Sequence, residues 1–409
     1  MFRLWMLALA VFAASAQPPD SLPLDDWLPS SNTPIRWSLR VRHPTLSMQQ
    51  RLEAVIVAEV DASEFIQRPA RGQMFALFQI RDRARRVYPS RRPLLLPKAT
   101  NPADLLVVRF ELHAFVLPGD YAIAAAIYDT HSNQHNLKRA TLHVARPARD
   151  PLPGLWRDLP PVEFAAGRDL AGNSARLSLA LESPKPVRVD VILNQSLAPR
   201  VLERTALPAL HVISRLKISN GSLGFSVLDL DRRKVIFAGE NSLDSARLDA
   251  ALAQSNPHVI EASALRNYRD DAQFFLSEIR KRLDSAGDSR RALIVLSAPM
   301  VFPKGENLHP IEASPQPGTR VFYLRFYKPG VPRIVFPDSP PEVYARGRVV
   351  VTPNEQSRKP ALIPPLGRHE ADLLEQTLKP LGVTLFDIDA PADFRRALSA
   401  ILKQLAQPD

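Results

Sequence analysis

The sequence contains no cysteine. That excludes thiol catalysis, disulfide cross-links and cysteine-ligated zinc. Glycine is scarce, with 15 residues against 39 prolines in a chain of 409. Connections are therefore expected to be stiff and extended rather than glycine-rich and flexible. No phosphate-binding glycine loop, nucleophile elbow or zinc spacing occurs, and His369-Glu370 lacks the second histidine of a metalloprotease helix. The common enzyme signatures are missing, so no catalytic residue is expected. After residue 16 no apolar run is long enough to span a bilayer.

The first residues read as an address. Arg3 supplies a positive start, Leu4 to Ala13 an apolar stretch too short to be a membrane anchor, and Ala14-Ser15-Ala16 the small-x-small pattern of a signal-peptidase site. The chain is expected to be exported, to the periplasm or outside the cell, with residues 1–16 removed and no membrane-spanning segment left. A net charge of +11 favours anionic envelope components over nucleic acid as partners for an exported protein. The length allows two or three domains, and the 45% hydrophobic content is that of a globular protein.

Residues 17–34, rich in Pro, Ser and Asp, read as an extended lead-in. From Ile35 the pattern alternates, with Ile35, Trp37, Leu39 and Val41 against Arg36, Ser38, Arg40 and Arg42, as in a half-buried strand with a basic outer face. Further strands are expected over 52–60, 74–80, 105–116, 121–128 and 140–144. Short strands broken by Pro and Gly turns point to an antiparallel β-sandwich over 35–146. The turn Leu117-Pro118-Gly119-Asp120-Tyr121 resembles the tyrosine corner of immunoglobulin-like modules. Between the third and fourth strands lie Arg81, Arg83, Arg85, Arg86, Arg91 and Arg92, diluted by Asp82 alone. They form either a patch for an anionic partner or a solvated hairpin whose charges protect a sheet edge.

Residues 147–174 are rich in Pro, Gly and Ala and read as a linker. The organising stretch of the second half is Val187–Ser196, whose near-continuous apolar run is that of a strand covered on both faces. After it come a helix over 200–217 that Pro208 must bend or divide, a hairpin around 230–233, a short helix capped by Ser242, and an amphipathic helix over 270–283. Strands are expected at 293–296, 321–326 and 383–388. Helices are expected at 370–381 and, capped by Asp389, at 391–405. An irregular Pro-rich insertion fills 329–366. The pairs Asp229/Asp231 and Asp387/Asp389 read as turn and cap residues.

This element order, with Val191-Ile-Leu-Asn-Gln-Ser, Asp271-Ala272 and Ala292-Leu-Ile-Val-Leu-Ser, resembles a von Willebrand factor type A domain over residues 175–409. It is most similar to exported bacterial proteins, common in acidobacteria, that carry a VWFA-related domain. The resemblance implies an open, Rossmann-like α/β sheet behind the immunoglobulin-like β-sandwich. In that family Asp-x-Ser-x-Ser, a Thr and a second Asp hold a divalent cation, whose open position takes an acidic group of a partner. Here Asn194, Ser196 and Ala198 stand at the first motif, Asn267 at the Thr and Ala298 at the second Asp. Both carboxylates are gone, and neutral oxygens offset a dication's charge poorly. No metal or other cofactor is expected; Mg²⁺ is the alternative that the family's site would take.

The leading expectation is a non-catalytic interaction or adhesion protein. It would bind an unknown protein partner at the C-terminal edge of the sheet, through Arg266, Met300 and Phe302 among others, without a metal ion. One alternative places an anionic envelope surface on the 81–92 arginines. A second is a hydrolase with an unrecognised site.

Overall fold

The computed structural model describes residues 24, 35–67, 74–94, 107–165, 177–195, 205–230, 232–255, 268–284, 290–299, 318–326, 333–335, 349–350, 361–363 and 372–407. The signal-type segment 1–16, the lead-in apart from Leu24, and most of 329–366 lie outside them.

The N-terminal half is built from β1 (Trp37–Val41), β2 (Thr45–Leu46), β3 (Leu52–Asp61), α1 (Ser63–Gln67), β4 (Met74–Asp82), β5 (Val87–Pro93), β6 (Val107–Val116), β7 (Gly119–Asp129), β8 (Gln134–Val144) and β9 (Val162–Phe164). One sheet runs β1-β3-β6, with β2 beside β3 and β9 beside β6; the other runs β5-β4-β7-β8, and every one of these pairings is antiparallel. Alternation explains the packing. Ile56, Ala58 and Val60 of one sheet share a core with Phe78, Ile80 and Ile123 of the other, so the two sheets lie face to face. On the outside of the first sheet the basic stripe of β1 meets acids from its neighbours. Arg40 and Arg109 both pair with Glu59, at 3.1 and 2.7 Å, and Arg42 pairs with Glu111 at 2.6 Å.

The C-terminal half comprises β10 (Leu179–Leu181), β11 (Val187–Asn194), α2 (Leu207–Ile213), β12 (Leu216–Ile218), β13 (Gly221–Asp229), β14 (Lys234–Glu240), α3 (Ser245–Ser255), α4 (Tyr268–Asp284), β15 (Arg290–Ser297), β16 (Thr319–Arg325), β17 (Arg333–Val335), β18 (Val349–Val350), β19 (Ala361–Ile363), α5 (Leu373–Leu378), β20 (Thr384–Asp387) and α6 (Pro391–Ala406). Six of these strands form one sheet in the order β14-β13-β11-β15-β16-β20, parallel except for the β13–β14 hairpin. The apolar run of β11 is buried on both faces. Val187, Val189, Val191 and Leu193 join a core with Leu210, Leu248, Phe394 and Leu398, whereas Ile192 joins another with Phe275, Ile279 and Leu378. The smaller strands β10 and β12 pair with each other, as do β17 and β19, and β18 adds to β6 at Arg109 and Phe110.

Several local expectations are corrected. Within its described residues, 205–217, the helix expected over 200–217 ends with α2 at Ile213, with Pro208 in the first turn of α2, where a missing N–H costs nothing, and the chain turns into β12 soon after it. The first turn of α3 is capped by Asp244 rather than Ser242, since the Asp244 carboxylate accepts from Arg247 N at 3.0 Å. Asp389 does not cap α6. Ala390 holds the cap position, and Asp393 reaches back to accept from Ala390 N at 2.8 Å and Asp389 N at 3.2 Å.

The described part of the stretch read as a linker, up to residue 165, is packed structure. It carries β9, and it places Leu155 and Leu159 in the core of the large sheet. Arg395 of α6, 3% exposed, sits at this joint. Its guanidinium donates to both oxygens of Asp150, at 2.6 and 2.7 Å, and to the carbonyls of Leu152 and Gln50, at 3.1 and 3.4 Å. It also lies 4.6 Å from the Trp156 ring centre. Trp156 Nε1 donates to the same Gln50 carbonyl at 2.6 Å, and Gln50 Nε2 donates to Pro391 O at 3.0 Å. One turn of the N-terminal sheet, one stretch after it and the last helix are thus locked together.

Gly221 opens β13 where the chain must pass against β11. A Cβ there would lie 1.9 Å from Val187 O, a backbone atom that cannot step aside. Gly221→Ala is expected to cost about 1–3 kcal/mol as overpacking, read as a lower urea midpoint at unchanged slope.

Candidate functional site at the switch point of the parallel sheet

The chain leaves β11 toward β13 on one side and leaves β15 toward β16 on the other. The C-terminal ends of β11 and β15 therefore diverge, which is where open α/β sheets form a crevice. Asn194 closes β11 and Ser297 closes β15; they are 5% and 0% exposed. Asn194 Nδ2 donates to Ser297 Oγ at 3.0 Å, and that hydroxyl donates to Ala298 O at 2.9 Å.

The Ala298 carbonyl also accepts from Tyr323 OH at 3.0 Å, and the same phenol lies 3.1 Å from Asp372 Oδ2. Burial, and then the Asp372 charge, raise the Tyr323 phenol well above its ordinary range, so it stays a donor. Asp372 caps α5 through its other oxygen, which accepts from Leu374 N at 3.1 Å. Arg325, one layer further along β16, donates to Asp372 at 3.3 Å, to Glu375 at 2.8 Å and to Asp387 at 2.6 Å. The Asp387 hydrogen bond leads the contacts that hold its guanidinium charged. A continuous polar chain thus crosses β11, β15, β16, α5 and β20.

Gln195 follows Asn194. It is 2% exposed; its Nε2 donates to Ser255 Oγ at the end of α3, while its Oε1 is buried without a partner. An unmet buried acceptor costs about 1–3 kcal/mol. Sequence reasoning passed over Gln195 because an amide at a strand end has no signature. Tyr323, Arg325 and Asp372 were passed over because they meet only through the sheet order and no local pattern links them.

Of the positions named from the sequence, Asn194 and Ala298 meet at this edge. Ser196, Ala198, Arg266, Asn267, Met300 and Phe302 lie outside the described residues. Among the described residues no group of three or more His, Asp or Glu is arranged to hold a metal ion. Asn194 turns its amide N–H₂, which cannot ligate a cation, toward Ser297.

The arginines of 81–92 are divided between two strands and a turn. Arg81 lies one residue before the end of β4, Arg91 and Arg92 lie in β5, and Arg83, Arg85 and Arg86 are exposed at the turn between them. Arg85 adopts a left-handed φ of 62°. Arg92 donates to Ala165 O at 3.1 Å, and the Arg91 guanidinium lies 3.6 Å from the Phe75 ring centre. Half of the run therefore packs on the domain instead of facing solvent. Pro89 and Pro93 suit β5 to a sheet edge.

No protein-family model matches the chain, and no curated protein matches it. Among solved structures, a von Willebrand factor type A protein from Catenulispora acidiphila is similar at 8% identity and a TM-score of 0.24, over 83% of this chain and 52% of that one. The chain thus matches about half the length of that protein. A Northeast Structural Genomics Consortium target, SoR45, is similar at 8% identity and a TM-score of 0.19, over 28% of this chain and 90% of that one. At these TM-scores neither superposition carries an argument. A many-sheeted, mostly β chain with a distant type A neighbour is what the comparison gives. Among the described residues no helix is long and apolar enough to cross a membrane.

Proposed function

We propose that this is an exported, non-catalytic interaction protein. It carries an immunoglobulin-like sandwich and a type A-like α/β domain, and it binds a protein partner at the C-terminal edge of the large sheet without a metal ion. The observation that carries this reading is the Asn194–Ser297 hydrogen bond. At the crevice where a type A domain would coordinate a cation, the two strand ends bond to each other. Among the described residues of this edge, the Gln195 side-chain carbonyl oxygen has unmet hydrogen-bonding capacity; it calls for a donor, whereas a metal site calls for an acid.

The test has two arms. Thermal unfolding of the mature protein in EDTA, Mg²⁺, Mn²⁺ and Ca²⁺ should give one midpoint, because a ligand of the folded state would raise it by mass action. A photo-cross-linking residue at position 302 should then capture a protein in the native envelope, and Arg266→Ala should reduce that capture at least fivefold. A rise with one cation that Asn194→Ala abolishes would overturn the metal-free reading. Capture from position 85 instead, fading steeply as salt rises, would favour electrostatic attachment through the arginine turn.

A further inference from the structure

The outward face of an antiparallel sheet at a protein surface is normally polar and solvated. The β5-β4-β7-β8 sheet departs from this. Along one part of the face turned away from the shared core the residues are apolar or small, and they are buried: Ala126 is 0% exposed, Leu77 2%, Phe75 7% and Ala124 8%, with the buried amide of Gln79 at 4% beside them. Register places Leu77 beside Ala126 and Ala126 beside Leu137, so these side chains form one row across the sheet. Leu24, from far outside both sheets in sequence, is 5% exposed and belongs to the same cluster as Phe75, Leu77 and Ala126, with Tyr128 and Leu137 packed against it.

The rim of this face is basic. Arg81 and Arg139 occupy its register positions beside Ala122 and Ala124, and Arg91 sits beside Leu77. Arg91 Nε is buried without a hydrogen-bond partner. The segment that holds Leu24 reads Asp20-Ser-Leu-Pro-Leu-Asp-Asp-Trp-Leu28. It offers four apolar side chains for the floor and three carboxylates for the rim. Sequence reading assigned it to a lead-in without a role.

We infer that this outer sheet face is a docking groove for an acidic, apolar peptide, and that its occupant is the chain's own segment 20–28, anchored by Leu24. The two chemistries act together. Leu24 fills the alanine floor, where a larger β-branched row would leave no room, and the acidic sequence next to it, Asp25-Asp26, complements the charge of the arginine rim.

The absence of native cysteine makes the test direct. In the otherwise unchanged full chain, Leu24→Cys with Leu137→Cys should be joined within one molecule by a short bis-maleimide. The rate should be at least tenfold faster than for Leu24→Cys with Ser38→Cys, which puts the second thiol on the opposite sheet. Far-UV circular dichroism confirms that each variant is folded. Asp25→Lys with Asp26→Lys should slow the first reaction threefold or more, and adding Arg139→Glu should restore it. Equal rates for the two cysteine pairs would overturn the proposal. Cross-linked dimers would overturn it as well, since the groove would then take a second copy of the chain. An unchanged rate in the lysine variant would remove the rim from the recognition.

Discussion

Arg395→Ala is expected to lower stability by about 3–5 kcal/mol, the cost of leaving one member of a buried ion pair behind. The residue left behind is Asp150. Burial alone would raise its carboxyl, but the Arg395 hydrogen bonds overcome that and hold it below the usual carboxylate range. Without the guanidinium, a charge beneath α6 loses its partner, and the carbonyls of Leu152 and Gln50 each lose a donor. The Trp156 ring loses the cation stacked on it. A fall of roughly 5 °C in the thermal midpoint is the expected reading.

A second variant separates charge from packing. Replacing both partners, Arg395→Met with Asp150→Leu, should recover much of the loss, because no unpaired charge remains. The coupling energy from the four proteins of this cycle should be about 1–3 kcal/mol. An additive cycle would mean that the pair contributes nothing beyond its separate contacts. The joint also bears on cooperativity. Gln50 belongs to the N-terminal turn and Pro391 to the last helix, yet they bond directly at 3.0 Å. The wild type should therefore unfold in one transition, and Arg395→Ala is the variant most able to split it into two.

Much of this architecture was legible because it is written in periodicity. The alternation from Ile35 marks β1, and the apolar run of 187–193, interrupted by Arg188 and Asp190, marks a strand with a helix layer on each side. What the sequence could not show is pairing at a distance. Asn194 and Ser297 are 103 residues apart, and no local pattern links two neutral polar strand ends. Arg325 and its three acids lie on β16, α5 and β20 and meet only once the sheet order is known. The helix caps failed for a different reason. Several Asp and Ser residues compete at each helix start, and a one-residue shift in where the chain turns decides which of them reaches a free N–H. The stretch around Leu155 and Leu159 was lost under its prolines and glycines, although a spacing of four between leucines is a packing signal.

Among the described residues, the switch point and the joint each leave a buried acceptor unmet. At the joint Arg395 and Asp150 satisfy each other, while Gln50 Oε1 is buried without a partner. At the switch point the chain from Asn194 to Asp387 is satisfied, except at Gln195 Oε1. Because Gln195 Oε1 is shut off from solvent, a partner's donor reaches it only if the strand end opens. Gln195→Leu should then leave the fold's stability unchanged or raise it, while weakening capture at the neighbouring loops.

His211 sets the expected response to mild acid. It lies on α2, 6% exposed, with Nδ1 buried and unpartnered. Burial first, and then the Arg215 charge, push its pKa down to about 4. In the unfolded chain the same ring takes a proton near pH 6.5. Between those values the unfolded state binds more protons than the folded one, so this histidine's contribution is fully present above pH 6.5 and is lost as the pH falls toward 4. The span corresponds to about 3 kcal/mol. Carboxylates held low by arginine, such as Asp150, act in a lower window, below their ordinary values, and so do not mask the effect. The measurement is urea unfolding at pH 7.5 and pH 4.5 for the wild type and for His211→Phe. The phenylalanine keeps the ring in the α2 core and cannot titrate, so its stability should change much less between the two pH values. Equal losses in both proteins would place the acid sensitivity elsewhere, in the ion pairs that hold α5 and β20 to β16.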